Sequence, residues 1–268
     1  SRKPVAYITS HLMDLSDAQP ASWVLSRALT AVAARHGKPM LGVHVHGLSA
    51  EEIVARLEAT PCAGLVLDTL DEALLRVLEK SVRRPLVMVN SWFERAAVNT
   101  VLQDNYLGGF LAANWLAEAG AERVGWLGPL ENYGHTRERF AGVMAGLAAL
   151  HRKWKTNLAV ESDPRALHAA ARAMLARRDR PDGVAVFTKN AALALRDAAH
   201  AAKLKIGRDL LLVGWTAEDC YEGEHRALFA GGPMPPAVVW RAESMAEAAL
   251  DLLGQLHDGR VFEPRRVL

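Results

Sequence analysis

Residues 104–147 read DNYLGGFLAANWLAEAGAERVGWLGPLENYGHTRERFAGVMAGL, and their reading decides the fold. Ala and Leu at three- and four-residue spacing make 107–119 a helix that stops at Gly120, a residue free to adopt the left-handed backbone that closes a helix. The almost wholly apolar RVGWLG (123–128) comes next, and a second helical run covers 136–151. A strand covered on both faces loses the alternation of a half-exposed strand. Helix, buried strand, helix is therefore a piece of a parallel α/β sheet.

Working outward, the same alternation fills most of the chain. The strand-like runs are VAYIT (5–9), MLGVHV (40–45), GLVLD (64–68), LVMVN (86–90), GVAVF (183–187) and LLLVGW (210–215). Helical stretches over 22–36, 50–59, 71–81, 164–178, 190–202 and 242–257 lie between and after them. Strand and helix in repeated alternation predict right-handed βαβ units and doubly wound sheets. Four strands precede residue 100 and three more precede 216, which gives two Rossmann-like lobes. The joint at VLQDNYLGG (101–109) has no flexible linker composition, so the hinge is tight. Ser49 before AEEIVARL, and Asp163 before Pro164, read as helix N-caps, while Gly37 reads as a stop.

The 268 residues are 50% apolar and 23% charged, which excludes disordered and collagen-like classes. That length fits one large α/β domain or two lobes of roughly 130 residues. Lys and Arg number 32 against 30 acids, a formal charge of +2. A surface that grips DNA phosphates carries a far larger basic excess, so this chain by itself is not expected to bind nucleic acid. Cys62 and Cys220 form no metal or redox spacing, and sparing thiol use suits a reducing cytosol. No apolar run reaches the roughly 18 residues that span a bilayer. The opening SRKPVAYITS has neither an initiator Met nor a signal-peptide core, so the chain reads as processed or cut, and Ser1 as a cloning remnant.

The chemistry-bearing patterns are few. GGFLAANW (108–115) and GVMAGL (142–147) each hold two glycines, but neither is a dinucleotide fingerprint or a Walker loop. Gly108 and Gly109 read instead as close packing at a helix start. His44 and His46 share a strand face without a third ligand at recognisable spacing, so no metal site is expected. Ser91 lacks the flanking glycines of a nucleophile elbow. Glu218 and Asp219 follow a strand at the carboxyl end of the sheet, where a polar ligand contact or a solvated loop is expected. No cofactor motif is present. Trp23, Trp92, Trp215 and Trp240 all fall at strand ends or helix starts, the places that converge on a ligand crevice in an open α/β sheet.

Residues 104–147 resemble the effector-binding domain of LacI/GalR-type transcriptional repressors. The resemblance rests on Asp104, Leu116 and Gly120 around the helix, the strand RVGWLG, and Arg139 with Gly142 opening the next helix. It continues through FTKNAALALRDAAHAAKLKIGRDLLLVGWTAED (187–219) and PPAVVWRAESMAEAALDLL (235–253), so it covers essentially the whole chain. It implies the α/β type I periplasmic-binding-protein fold: two Rossmann-like lobes with parallel sheets, joined by three crossover segments near Gln103, Trp240 and Gly259. The lobes would be 1–103 plus 240–259, and 104–239 plus 260–268.

The resemblance also implies roles. Arg139 matches the arginine that binds effector oxygens, and Asn90 stands where an acidic pocket residue is common, with Trp92 close by. Trp215 and Trp240 are expected to line the cleft. The acid that grips sugar hydroxyls after the VGF/VGY strand is Thr216 here, and an Asn-Asp pair is replaced by Thr188 and Lys189. The first loop, 10–23, offers His11, Asp14 and Gln19. The function implied is a cytoplasmic, homodimeric repressor that senses a small polar effector, a sugar or derivative, without cofactor or catalysis. DNA would be bound only through an N-terminal helix-turn-helix of about 60 residues that is absent from this sequence. The alternative is the periplasmic sugar-binding protein of an ABC importer, which shares the fold. Arg-rich stretches such as RRDRPDG and the small apolar helix faces favour the repressor.

Overall fold

The computed structural model describes residues 3–9, 21–130, 134–150, 159–160, 166–260, 264 and 266–268. The chain forms two compact units, Ser1–Gln103 with Arg241–Leu268, and Asp104–Trp240.

The first unit is built from β1 (Val5–Thr9), α1 (Ala21–Arg35), β2 (Met40–His44), α2 (Ala50–Ala59), β3 (Gly64–Asp68), α3 (Glu72–Ser81), β4 (Leu86–Val89) and β5 (Asn99–Val101). The second contains α4 (Asn105–Glu118), β6 (Val124–Leu127), α5 (Gly134–Ala149), β7 (Ala159–Val160), α6 (Leu167–Ala176), β8 (Gly183–Val186), α7 (Lys189–Ala201) and β9 (Leu211–Ala217). The short α8 (Glu218–Cys220), a π-turn over Tyr221–His225 and α9 (Arg226–Leu228) follow, and β10 (Ala237–Trp240) completes it. α10 (Ala242–His257) and β11 (Arg266–Val267) return to the first unit.

Both sheets are parallel throughout their described strands. The first runs β2-β1-β3-β4-β5-β11 and the second β7-β6-β8-β9-β10. In each, the order reverses between the first strand and the third, so each has a switch point at whose carboxyl end α/β sheets bind ligands. Those ends are Thr9 beside Asp68 in one unit and Leu127 beside Val186 in the other.

The cores follow the apolar runs. Ile8, Leu65, Leu67 and Met88 pack under Leu57 of α2 and Leu75 and Leu78 of α3. α1 and α10 pack together and on the same sheet; a Cβ added at Gly64 would meet Leu253 at 2.9 Å. In the second unit Leu116, Val143, Val184, Leu195 and Leu212 join one cluster around Trp126. Ser49 caps α2 as expected, in a full capping box: Ser49 N–H donates to Glu52 Oε2 at 2.7 Å, and Glu52 N–H to Ser49 Oγ at 3.3 Å. Gly37 and Gly120 take positive φ after their helices.

Four expectations need correction. β2 is an edge strand, and of Met40–His44 only Val43 is buried, so the run 40–45 is not covered on both faces. β5, β7, β10 and β11 were not predicted, because two to four residues carry too little periodicity to register. Trp240 ends β10 and belongs to the second unit. Finally, Arg266–Val267 pairs with β5, so these end residues join the first unit's sheet; the described chain passes between units at Gln103/Asp104 and Trp240/Arg241, with no third passage near Gly259 among the described residues. The cap expected at Asp163-Pro164 lies outside the described residues.

Candidate functional site

Arg139 lies in the second turn of α5, on a helix that could not reach its place without glycine. A Cβ at Gly109 would stand 2.0 Å from the Arg139 carbonyl oxygen, and one at Gly142 would stand 2.0 Å from the Tyr106 carbonyl oxygen. The backbones of α4 and α5 therefore touch, and that brings Asn105, the first residue of α4, against the Arg139 side chain. Arg139 Nε donates to Asn105 Oδ1 at 2.9 Å, and Asn105 Nδ2 donates to Glu138 Oε2 at 3.2 Å. Arg139 Nη1 donates to the Phe187 carbonyl just beyond β8. The arginine thus reaches from the helix after β6 to the end of β8, across the second sheet's switch point.

Both Arg139 and Asn105 are buried. Burial pushes the guanidinium down to about 9, opposed by the charge of Glu138, so it remains a cation at neutral pH. Its carbon stands 3.9 Å from the centre of the Trp215 ring, a cation–π contact in a desolvated place. The far end of that ring leaves no room at Gly108, where a Cβ would lie 2.4 Å from Trp215 Cη2. With 7% of its surface exposed, Trp215 is a platform under the arginine rather than an open stacking face for a ligand.

The other expected residues of this unit have more local duties. Thr188 Oγ1 accepts from Ala191 N–H at 3.3 Å and caps α7. Thr216 is buried on β9, its hydroxyl 3.5 Å from the Ala217 carbonyl. Trp240 is buried at the end of β10, in register with Ala217. Lys189 forms an ion pair with Glu224, and Glu218 and Asp219 are exposed at the start of α8.

In the first unit, Asn90 follows β4 with φ 65° and accepts through Oδ1 from Gln103 Nε2 at 2.9 Å. Trp92 is half-buried, with Arg266 5.1 Å from its ring centre; its indole Nε1 is buried with no hydrogen-bond partner among the described residues. Trp23 pairs with Arg27, one turn on in α1. His11, Asp14 and Gln19 lie outside the described residues.

Sequence reasoning named Gln103 only as a crossing, and did not single out Asn105 or a buried polar group at the first sheet's switch point. There the Tyr7 hydroxyl stands 2.8 Å from Asp68 Oδ2 and 3.0 Å from the Ser22 carbonyl, and Ser91 Oγ donates to the Thr69 carbonyl at 2.9 Å. Burial first, and the Asp68 charge second, hold the Tyr7 phenol far above its ordinary range, so it stays a donor. The available signal was an acid closing the otherwise apolar GLVLD. The end of β8 supplies a fixed cation with an amide, and the end of β3 in the other unit supplies hydroxyls and an acid, each of a kind that binds small polar molecules.

Residues 113–268 match the family of periplasmic binding protein-like domains. The chain belongs to that family. The HTH-type transcriptional repressor PurR of Klebsiella pneumoniae (strain 342) is 27% identical over 188 residues, covering 68% of this chain and 52% of that protein. The ribose operon repressor of Haemophilus influenzae is 24% identical over 156 residues, 57% of this chain and 46% of that one. Among solved structures, the fold is similar to the transcriptional regulator CelR in its cellobiose complex, with a TM-score of 0.83, 22% identity, and coverage of 98% of this chain and 80% of that one. A LacI-family regulatory protein from Chloroflexus aggregans gives a TM-score of 0.83 at 17% identity, covering 98% and 94%. The chain spans about half the length of the curated relatives it matches. Among the described residues no helix is long and apolar enough to cross a membrane.

Proposed function

We propose that this chain is the ligand-sensing part of a cytoplasmic transcriptional repressor, and that it binds a small polar effector, a sugar or sugar derivative. The observation that carries the reading is Arg139: a buried guanidinium, oriented by Asn105 and the Phe187 carbonyl and backed by Trp215, at the end of β8. Such a group binds oxygens with directional, charge-assisted hydrogen bonds. Asn90, Trp92, Trp240, Thr188 and Thr216, with His11 and Asp14, complete the proposed set of contacts. Thr216 where a sugar-gripping acid is usual, with Thr188 and Lys189 in place of an Asn-Asp pair, favours an effector other than the common hexoses. The protein works as a homodimer without catalysis, and DNA is bound by a part of the protein outside this chain.

An effector can change DNA affinity only if it prefers one arrangement of the protein. Calorimetric titration with D-ribose, cellobiose, uronic acids and purine bases tests the reading. Saturable binding of at least one class is expected, and gel shifts with the longer protein should then respond to that same compound. Sedimentation of the chain at micromolar concentration should give a dimer; a monomer alone contradicts that part.

A further inference from the structure

The first passage between the units is the single peptide step from Gln103 to Asp104. The residues on either side of Asp104 are both buried amides, Gln103 and Asn105. Within the first unit, Gln103 Nε2 donates to Asn90 Oδ1 at 2.9 Å. Within the second, Asn105 Oδ1 accepts from Arg139 Nε at 2.9 Å. Asp104 between them caps α4, accepting from Leu107 N–H at 2.9 Å. All three residues of the passage are therefore tied down by their side chains.

A planar amide with a donor at one end and an acceptor at the other cannot turn over once both ends are engaged. Asn105 is in that position, because its Nδ2 donates to Glu138. Asn90 is fixed as well: its φ is 65°, and its N–H donates to the Val101 carbonyl at 3.0 Å, two residues before Gln103. If the Arg139 guanidinium is drawn away from Asn105, a buried acceptor loses its partner. That leaves a desolvated acceptor unsatisfied, which is unfavourable unless Asn105 follows. Asn105 can follow by giving up its Glu138 hydrogen bond or by moving a backbone two residues from Gln103.

We infer that Gln103 and Asn105 are positioning residues that tie this passage to Asn90 on one side and Arg139 on the other, so that a shift at either of those residues is transmitted to the passage. Its functional meaning rests on the reading of Asn90 and Arg139 as effector contacts, but the ties can be tested with no effector present. Failure of the ties and failure of that reading are thus separate results.

The experiment is side-chain nitrogen NMR on the whole chain, read in both directions. In Arg139→Lys, which keeps the charge but removes Nε, the Gln103 side-chain amide should shift by more than those of Asn99 and Gln255 in its own unit. In Gln103→Ala, the Arg139 Nε–H should exchange with solvent severalfold faster than in the parent protein. Thermal unfolding checks that each variant is folded, and if Arg139→Lys is not, the Gln103→Ala arm decides alone. A Gln103 amide that ignores Arg139→Lys, or an Arg139 Nε–H whose exchange ignores Gln103→Ala, overturns the proposal.

Discussion

The Arg139 guanidinium lies on the face of the Trp215 ring, 3.9 Å from its centre, and Gly108 gives that ring its room on the other element it touches. Adding a side chain at Gly108 should therefore disturb Arg139 without touching it. Gly108→Val should lower the melting temperature and shift tryptophan emission toward that of a more exposed indole. Fluorescence against Trp215→Phe assigns the change; an unshifted spectrum contradicts the contact.

Glycines elsewhere on the helices should behave in opposite ways. A Cβ at Gly109 meets backbone at 2.0 Å, whereas one at Gly254, inside α10, meets nothing within 4 Å among the described residues. Gly109→Ala must push α4 and α5 apart and should cost about 1–3 kcal/mol or more. Gly254→Ala restricts only the unfolded chain and should stabilise by about 0.4–1 kcal/mol. Urea unfolding of the two variants measures both signs.

His225 predicts a pH dependence. It is buried between Tyr221 and Phe229, at ring distances of 5.4 and 5.2 Å, with Nε2 2.9 Å from the Pro235 carbonyl. Burial holds its pKa below the ordinary 6.5, the Pro235 hydrogen bond works the other way, and the Lys189 charge adds to the lowering. Above the ordinary value the ring is neutral whether the chain is folded or not. As pH falls below it, the unfolded chain takes the proton first, so stability drops until the folded value is passed. Melting temperatures at about pH 7.5 and about pH 5.5 should fall farther apart in the parent than in His225→Gln. Equal drops contradict the assignment.

The capping box of α2 offers a smaller test. Ser49→Ala removes the acceptor for Glu52 N–H and should cost about 0.5–2 kcal/mol in denaturant unfolding. Hydrogen bonding from Ser49 holds the Glu52 carboxyl below its ordinary pKa, so its benefit is lost as pH falls through that lowered value.

What could be read in advance follows from where the signal is dense. Strands such as GLVLD and GVAV are buried on both faces, and their apolar runs announced them. β5, with the sequence NTV, and β11, with only Arg266 and Val267, are held by register with longer neighbours, which local sequence does not encode. Arg139 was singled out by resemblance alone, as a charged residue in the second turn of a helix whose sequence follows a known pattern. Asn105 was not: its importance comes from the contact of α4 with α5, which depends on two glycines 33 residues apart, at 109 and 142. Tryptophan positions were legible but their use was not, since Trp23, Trp92 and Trp215 each carry an arginine on the ring.

The measurement that bears most directly on the central claim is calorimetric titration of the effector compounds into the parent protein and into Arg139→Ala. Losing a charge-assisted hydrogen bond to the ligand should weaken binding by about 1.5–3 kcal/mol, roughly ten- to a hundredfold. The account predicts that a compound bound by the parent protein loses at least tenfold in the variant while the variant remains folded by thermal unfolding. Equal affinity of the two proteins for that compound would contradict it, and would move the effector site away from the end of β8.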